Sequence, residues 1–165
     1  MRYLAAPWRD KYFEMKQKGC IFCRAAGGRS RRAAEANADS KNFVIMRGEK
    51  CFLMLNLFPY TNAHVMAAPY RHIGDVTKLS SVELIEMMEM AQKAVAVMKK
   101  LFKCEGFNIG VNQGAASGAG FAGHIHTHIV GRWKGDTNFM TTLARTRVTP
   151  SSPLKIYKMF KKAMV

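Results

Sequence analysis

Three histidines alternate with other residues in one short segment of the chain. Residues 124–130 read His-Ile-His-Thr-His-Ile-Val, and a β-strand would place His124, His126 and His128 on one face. An imidazole can ligate a metal, attack phosphorus, hydrogen-bond a charged oxygen or exchange a proton near neutral pH. The spacing therefore predicts a row of imidazoles suited to metal ligation or to phosphoryl chemistry. A surface strand that merely alternates histidine with apolar residues is the weaker interpretation, because the chain has only 5 histidines in all.

A segment of small residues comes directly before the histidines. Residues 114–123 read GAASGAGFAG and contain no charged side chain. Backbone N–H groups in such a segment can approach phosphate oxygens closely and form an anion-binding concavity. Alone, a glycine-rich loop is more often just a flexible connection. Next to the three histidines it becomes a candidate phosphate cradle, with Gly118 and Gly120 as candidate contacts.

A pair of cysteines marks a second candidate site. Cys20-Ile-Phe-Cys23 has the C-x₂-C spacing of a zinc knuckle, but one pair supplies only half of a tetrahedral site. Cys51 and Cys104 lie in apolar surroundings and are predicted to be core residues. In a chain expected to be cytoplasmic, cysteines favour metal sites or buried thiols over disulfides. The alternative for Cys20 and Cys23 is a pair of free thiols without a metal.

These motifs together resemble a known family. The segment GFNIGVNQGAASGAGFAGHIHTHIVGRWKGDTNFM, residues 106–140, is similar to the histidine triad nucleotide hydrolases and transferases, whose signature is His-φ-His-φ-His-φ-φ with φ apolar. The likeness continues through residues 55–73, APWRDKYF and CIFC, so it covers most of the chain. The RW-x-GDTNF extension resembles the branch of diadenosine tetraphosphate phosphorylases and related hydrolases. Thr127 at an apolar position and Gly131 in place of a proline depart from the pattern.

The resemblance implies a covalent mechanism. His126 would attack the α-phosphorus of an AMP-containing nucleotide to give a nucleotidyl-histidine, which water or phosphate then releases, and His128 would donate to a phosphate oxygen. The leading hypothesis is therefore an enzyme that cleaves a phosphoanhydride of a dinucleoside polyphosphate. The alternatives are a nucleoside phosphoramidase of the same family, or a zinc-stabilised basic protein that binds nucleotide or nucleic acid without catalysis.

The resemblance also implies which residues contact the nucleotide. Asn112 matches an amide residue that contacts the phosphates, while Asn56 and His64 match positions that line the nucleoside pocket. Asn56 and His64 could equally be polar residues at a turn or a sheet end. The tryptophan equivalent to Trp133 is associated with substrate binding, through stacking on a base. A half-buried core tryptophan is the competing interpretation.

A complete metal site follows from the same resemblance. Some members of the family combine the cysteine pair with the histidine of a Pro-x-x-His segment and the first histidine of the triad. Here the set would be Cys20, Cys23, His72 and His124. It would hold a structural zinc and fix ring orientations near the nucleophile. No organic cofactor is expected.

The excess of positive charge lies at the two ends of the sequence. The net charge of +15 arises from 26 basic and 11 acidic residues, with 12 basic and 5 acidic in residues 1–50, and 8 basic and 1 acidic in residues 132–165. Such a field could steer a polyphosphate nucleotide or hold nucleic acid. A solvated basic surface explains it at least as well. Nucleic acid is therefore not expected as a partner.

Length and periodicity predict one α+β domain over residues 1–165. Strands are predicted over 42–47, 51–57, 64–69, 107–111 and 124–130, which favours a mainly antiparallel five-stranded sheet. Helices are predicted over 7–18, 81–103 and 155–164, and an exposed, mobile loop or frayed helix over 25–41. The long helix would begin with a capping box at Ser80 and Glu83. Its predicted apolar face consists of Leu84, Met87, Met88, Ala91, Val95, Met98 and Phe102.

Two further expectations concern assembly and location. Members of the family pair into dimers with a continuous sheet, so the resemblance implies a homodimer. No apolar run of about 18 residues exists, and the first residues carry charges where a signal peptide would need an apolar stretch. The chain is therefore expected to be cytoplasmic and not bound to a membrane.

Overall fold

A computed structural model describes residues 19–27, 36–57, 59–136 and 151–164. Its helices are α1 (Ile21–Ala26), α2 (Ala36–Asn42), α3 (Ser81–Phe102) and α4 (Pro153–Met164), and its strands are β1 (Val44–Arg47), β2 (Cys51–Leu55), β3 (His64–Pro69), β4 (Gly106–Val111) and β5 (Thr127–Arg132). Two 3-10 turns lie at Val76–Lys78 and Ala115–Ser117. Among these residues, no helix has both the length and the apolar character needed to cross a bilayer.

The five strands form one sheet in the order β1-β2-β3-β5-β4, with every neighbouring pair antiparallel. The predicted α+β class and antiparallel sheet are confirmed. Strands β2 and β3 are buried along their whole length, because helices cover both faces of the sheet. Alternate residues point to opposite faces, so Leu53 and Val65 join a core beneath α3 and α4 while Phe52 and Met66 pack with Phe22 of α1.

The buried face of α3 differs in part from the predicted one. Leu84 and Met88 are 45% and 51% exposed, and Met90 and Ala94 are buried instead. The cause is a pair of carboxylates that face the sheet. The predicted capping box is present, and the carboxylate of Glu83 also accepts two hydrogen bonds from Arg71, both of 2.7 Å.

The second carboxylate, that of Glu86, accepts the backbone N–H groups of Glu49 and Lys50 at the β1–β2 turn. Gly48 makes this approach feasible, since a Cβ there would overlap the same carboxylate. These polar anchors turn the side of α3 that carries Glu83 and Met90 towards the sheet.

Of the two alternatives predicted over 25–41, a loop or a frayed helix, the structure shows helix at both ends of the range. Residues 25 and 26 complete α1, and residues 36–42 form α2. Arg47 holds both helices in place, because its guanidinium donates to the carbonyls of Ala25 and Ala26 and to the carboxylate of Asp39 at 2.7 Å. One side chain of β1 therefore ties two short helices to the edge of the sheet. Residues 28–35, and the helix predicted over 7–18, lie outside the described residues.

The last strand begins later than predicted. Strand β5 starts at Thr127, so His128 lies in the ladder while His124 and His126 precede it. This preceding segment is still held in place, because the N–H of Ile125 donates to the carbonyl of Ile73. The other strands lie within two residues of their predicted bounds, and α4 begins at Pro153.

Candidate active site and metal site

His126 occupies a nearly closed position beside its neighbour in the triad. Its ring is 4% exposed, lies 4.7 Å from the ring of His128 and packs 4.5 Å from the ring of Phe22, measured between centroids. Its Nδ1 lies 2.8 Å from the carbonyl oxygen of His124. A carbonyl only accepts, so Nδ1 carries the proton and Nε2 keeps its lone pair.

Burial also controls the charge of this ring. Desolvation lowers the pKa of His126 below its ordinary value, and the hydrogen bond to the His124 carbonyl offsets part of that effect. The ring is therefore a neutral imidazole with a nucleophilic Nε2 at neutral pH.

A hydrogen-bond chain sets the tautomer of His128. The backbone N–H of Tyr60 donates to Nδ1 of His64 at 3.1 Å, so the proton of His64 is on Nε2. That Nε2–H donates to Nδ1 of His128 at 2.9 Å. The proton of His128 is then on Nε2, which makes this atom a hydrogen-bond donor.

His64 lies in the interior, in contact with the triad. It is fully buried, and its ring lies between those of Tyr60 and His128, at 4.7 and 5.1 Å. The amide nitrogen of Asn56 lies 3.2 Å from its Nδ1. These contacts let His64 orient the ring of His128, and its predicted place in a nucleoside pocket remains a prediction. The contact between His64 and His128 could not be found from the sequence, because it forms only when β3 pairs with β5.

The predicted metal ligands come together. The ligand atoms of Cys20, Cys23, His72 and His124 all lie within 4.8 Å of one another. The closest approaches are 3.2 Å from Cys23 Sγ to His72 Nδ1 and 3.4 Å from Cys20 Sγ to His124 Nδ1. A tetrahedral zinc with ordinary bond lengths separates its ligand atoms by about 3.3–3.8 Å. The four residues thus fit such an ion.

The surroundings of the cluster also suit a cation. Nε2 of His124 lies 2.9 Å from the carbonyl of Pro69, which places its proton there and leaves Nδ1 as a ligand. Burial raises the pKa of Cys23 to about 11 and lowers the pKa of His124 to about 4. Both shifts disfavour isolated charges, and a divalent cation would offset the charge of the thiolates.

The glycine-rich segment adopts a conformation that requires glycine at two points. Gly114 and Gly118 have φ values of 80° and 79° and flank the short turn Ala115–Ser117. Gln113 anchors the start of the segment, because its side chain accepts from Val76 N–H at 2.8 Å and donates to Asp75 at 3.1 Å. Gly118 and Gly120 are exposed. Their contact with phosphate remains a prediction.

A cavity of about 360 Å³ opens beside His128. Its walls come from β4, β5 and the turn before β3, and they include Asn108, Gly110, Asn112 and Arg132. Asn112 thus lines the same cavity as His128, and its contact with phosphate remains a prediction. Sequence analysis singled out neither Asn108 nor Arg132.

Trp133 is not among the residues that line this cavity. Its indole N–H donates to the carbonyl of Phe102 at 3.0 Å, and its ring packs against the core beneath α3. These contacts agree with a half-buried core tryptophan, and stacking of Trp133 on a base remains a prediction. Next to it, Gly131 has no room for a side chain, since a Cβ would lie 2.6 Å from Cys104 Sγ.

The family follows from comparison with known proteins. Residues 37–135, from α2 to the turn after β5, match the family model described as HIT domain. The chain belongs to the HIT family. It is 39% identical over 113 residues to the AP-4-A phosphorylase of Mycobacterium tuberculosis, a match that covers 68% of this chain and 58% of that protein. It is 30% identical over 93 residues to the asymmetrical bis(5'-nucleosyl)-tetraphosphatase of Schizosaccharomyces pombe, covering 56% of this chain and 50% of that one.

Solved structures show the same HIT fold. A Zn-bound histidine triad family protein from Mycobacterium smegmatis superposes with a TM-score of 0.66 at 24% identity, covering 88% of this chain and 93% of that one. The histidine triad nucleotide-binding protein of Sulfolobus tokodaii gives a TM-score of 0.64 at 20% identity, covering 88% and 91%. These structures confirm the predicted fold, and the family model confirms the predicted family.

Proposed function

We propose that this HIT protein cleaves a phosphoanhydride of a dinucleoside polyphosphate, such as diadenosine tetraphosphate, through a covalent intermediate on His126. The observation that carries the proposal is the complementary protonation of Nε2 in two neighbouring histidine rings. Nε2 of His126 has a lone pair, and Nε2 of His128 has a proton. The names of the two relatives support the substrate class, because one is a phosphorylase and the other a hydrolase of such nucleotides.

The first step forms a bond from His126 Nε2 to the α-phosphorus and breaks the bond from that phosphorus to the bridging oxygen. The electron pair leaves with the oxygen, to which His128 Nε2–H donates a hydrogen bond. The Nδ1–H of His126 stays bonded to the His124 carbonyl, which stabilises the positive ring of the intermediate. In the second step, water or phosphate displaces the histidine and releases AMP or ADP.

The same hydrogen bonds favour an anhydride over an amide of phosphate. A polyphosphate leaves as an anion that is stable near neutral pH, so it needs a hydrogen bond but no proton. An amine leaving group must be protonated as it departs. If His128 gave its proton to the amine, it would have to take another proton from His64. His64 could not replace that proton through Nδ1, because Nδ1 already accepts the N–H of Tyr60. The chain of donors therefore suits a nucleotide leaving group better than an amine.

A quench experiment tests the covalent step. Protein mixed with diadenosine tetraphosphate is denatured within milliseconds at alkaline pH and analysed as peptides. We expect an AMP adduct on the peptide that contains His126, and none in the variant His126→Ala. An adduct on another residue, or full turnover by the variant, would refute the proposal. Product analysis with and without added phosphate identifies the second acceptor, since hydrolysis yields AMP and phosphorolysis yields ADP.

We further propose that Cys20, Cys23, His72 and His124 hold a structural zinc. The separations of the ligand atoms support it, as does the second hydrogen bond of His124, and the Mycobacterium smegmatis protein with this fold is described as Zn-bound. The ion would link α1 and the residue before it to the segment that follows β3 and the segment that precedes β5. Nucleotide substrates and reduced cysteine ligands both fit a cytoplasmic location.

The chain is also proposed to form a homodimer through β4. This strand lies at the edge of the sheet, where its N–H and C=O groups can pair with another strand. Ile109 and Val111 of β4 are 45% and 41% exposed. Ile85 and Met88 of α3 are also exposed apolar residues. Pairing of β4 with its copy would continue the sheet, and size-exclusion chromatography with light scattering would report the mass.

A further inference from the structure

The cavity beside His128 runs along the two outer strands of the sheet. On β5, His128, Val130 and Arg132 point to the same face, because side chains alternate along a strand. On β4, Gly110 pairs with His128 and Asn108 with Val130. The cavity therefore begins at the predicted donor to the leaving group and ends at Arg132, about 13 Å further along the strand.

The guanidinium at the far end is held in a fixed orientation. Its Nε and Nη2 donate to the two oxygens of Asp136, the latter at 2.8 Å, and its Nη1 donates to Asn108 Oδ1 at 2.7 Å. Asp136 is itself held by the turn after β5, because its carboxylate accepts the backbone N–H of Trp133. These contacts position Arg132 before any ligand binds.

Part of this guanidinium remains available to a ligand. An arginine has five N–H donors, and the contacts to Asp136 and Asn108 use three of them. Within the described part of the chain, the other two have no acceptor. One of these donors is on Nη1 and the other on Nη2, and both can donate to the oxygens of a phosphate group.

The middle of the cavity is open and carries no negative charge. Gly110 has no atom within 4 Å of the position that a Cβ would take, so the space next to His128 is clear. None of the residues that line the cavity is acidic. An anionic chain can therefore extend from His128 towards Arg132 without meeting a carboxylate in the wall.

We propose that this cavity binds the distal phosphates of the leaving group, with Arg132 contacting the phosphate furthest from His126. The inference rests on the proposed function. The bridging oxygen that accepts from His128 is the first atom of the leaving group, so the rest of that group must extend away from His126. A leaving chain of several phosphates, together with the arginine side chain, can bridge the length of the cavity. Arg132 thereby selects longer polyphosphates over shorter ones.

Binding of inorganic tripolyphosphate tests the subsite without any turnover. Titration calorimetry would compare the unmodified protein with Arg132→Gln and with the matched control Lys134→Gln, which removes the same charge two residues further along the chain. We expect Arg132→Gln to weaken binding at least tenfold, because charged hydrogen bonds are lost, and Lys134→Gln to change it less than twofold. Equal losses in the two variants, or no loss in Arg132→Gln, would overturn the subsite.

Kinetics then test the selection of length. The ratio of kcat/KM for diadenosine tetraphosphate to that for diadenosine triphosphate should fall about tenfold in Arg132→Gln and recover in part in Arg132→Lys, which restores the charge but not the fork. An unchanged ratio, with both substrates impaired in parallel, would mean that Arg132 only supports the fold and would refute its role in selection. If the unmodified protein turns over neither substrate, the proposed function fails, while the calorimetry still decides whether Arg132 binds polyphosphate.

Discussion

Replacement of His64 should reduce catalysis even though His64 is not proposed to touch the substrate. In His64→Leu, the donor to Nδ1 of His128 disappears, and the proton of His128 is no longer confined to Nε2. The leaving oxygen then loses a charge-assisted hydrogen bond, which is worth about 1.5–3 kcal/mol. At about 1.4 kcal/mol per factor of ten, kcat/KM for diadenosine tetraphosphate should fall by a factor of about 10–150.

The variant His64→Gln is the informative comparison, because its amide can donate to the same Nδ1. We expect it to retain more activity than His64→Leu at similar thermal stability. The assay is the initial rate of nucleotide release, measured alongside the melting temperature of each variant. A loss below threefold in His64→Leu would refute the tautomer argument. Equal inactivation of both variants, accompanied by a lower melting temperature, would assign His64 a purely structural role.

Three further predictions concern the metal, the core and pH. Purified protein should contain close to one zinc per chain by mass spectrometry, and Cys20→Ser should lose the metal and melt at a lower temperature; protein that is free of zinc when prepared without chelators would exclude the site. Gly131→Ala should cost about 1–3 kcal/mol in denaturant unfolding, because its Cβ would overlap Cys104 Sγ, and Cys104→Ala should restore part of this; additive effects would contradict the overlap. The hydrogen bonds from Arg71 hold the pKa of Glu83 at about 2, below its ordinary value of 4.5, so the stability from this pair is present above pH 4.5 and lost as pH falls towards 2. Glu83→Gln should remove that pH dependence, and an unchanged acid profile would refute it.

The sheet and the metal cluster could be predicted because their signals are local. Period-2 patterns marked the strands, and β3 was predicted with its observed bounds, His64–Pro69. The spacing Cys20-x₂-Cys23 and the family likeness led to His72 and His124, which the fold brings within 4.8 Å of the pair. Residue types at fixed separations were sufficient for the strands and for the cysteine pair, whereas His72 and His124 were implied only by the family likeness.

Other features depend on contacts between distant segments. The buried face of α3 could not be predicted because Glu86 bonds to a turn 36 residues away along the chain. The positions of α1 and α2 depend on Arg47, which donates to the Ala25 carbonyl in α1 and to the Asp39 carboxylate in α2. The sequence does not reveal which acceptors an arginine will contact. The bond from His64 to His128 likewise exists only once β3 and β5 are paired.

One residue joins the two halves of this site. The ring of His124 faces the cysteines, and its carbonyl accepts the hydrogen bond of His126, the proposed nucleophile. A chelator or a thiol oxidant would therefore misalign His126 even if it never entered the nucleotide cleft. Catalytic competence of the chain would then follow the zinc supply and the redox state of its surroundings.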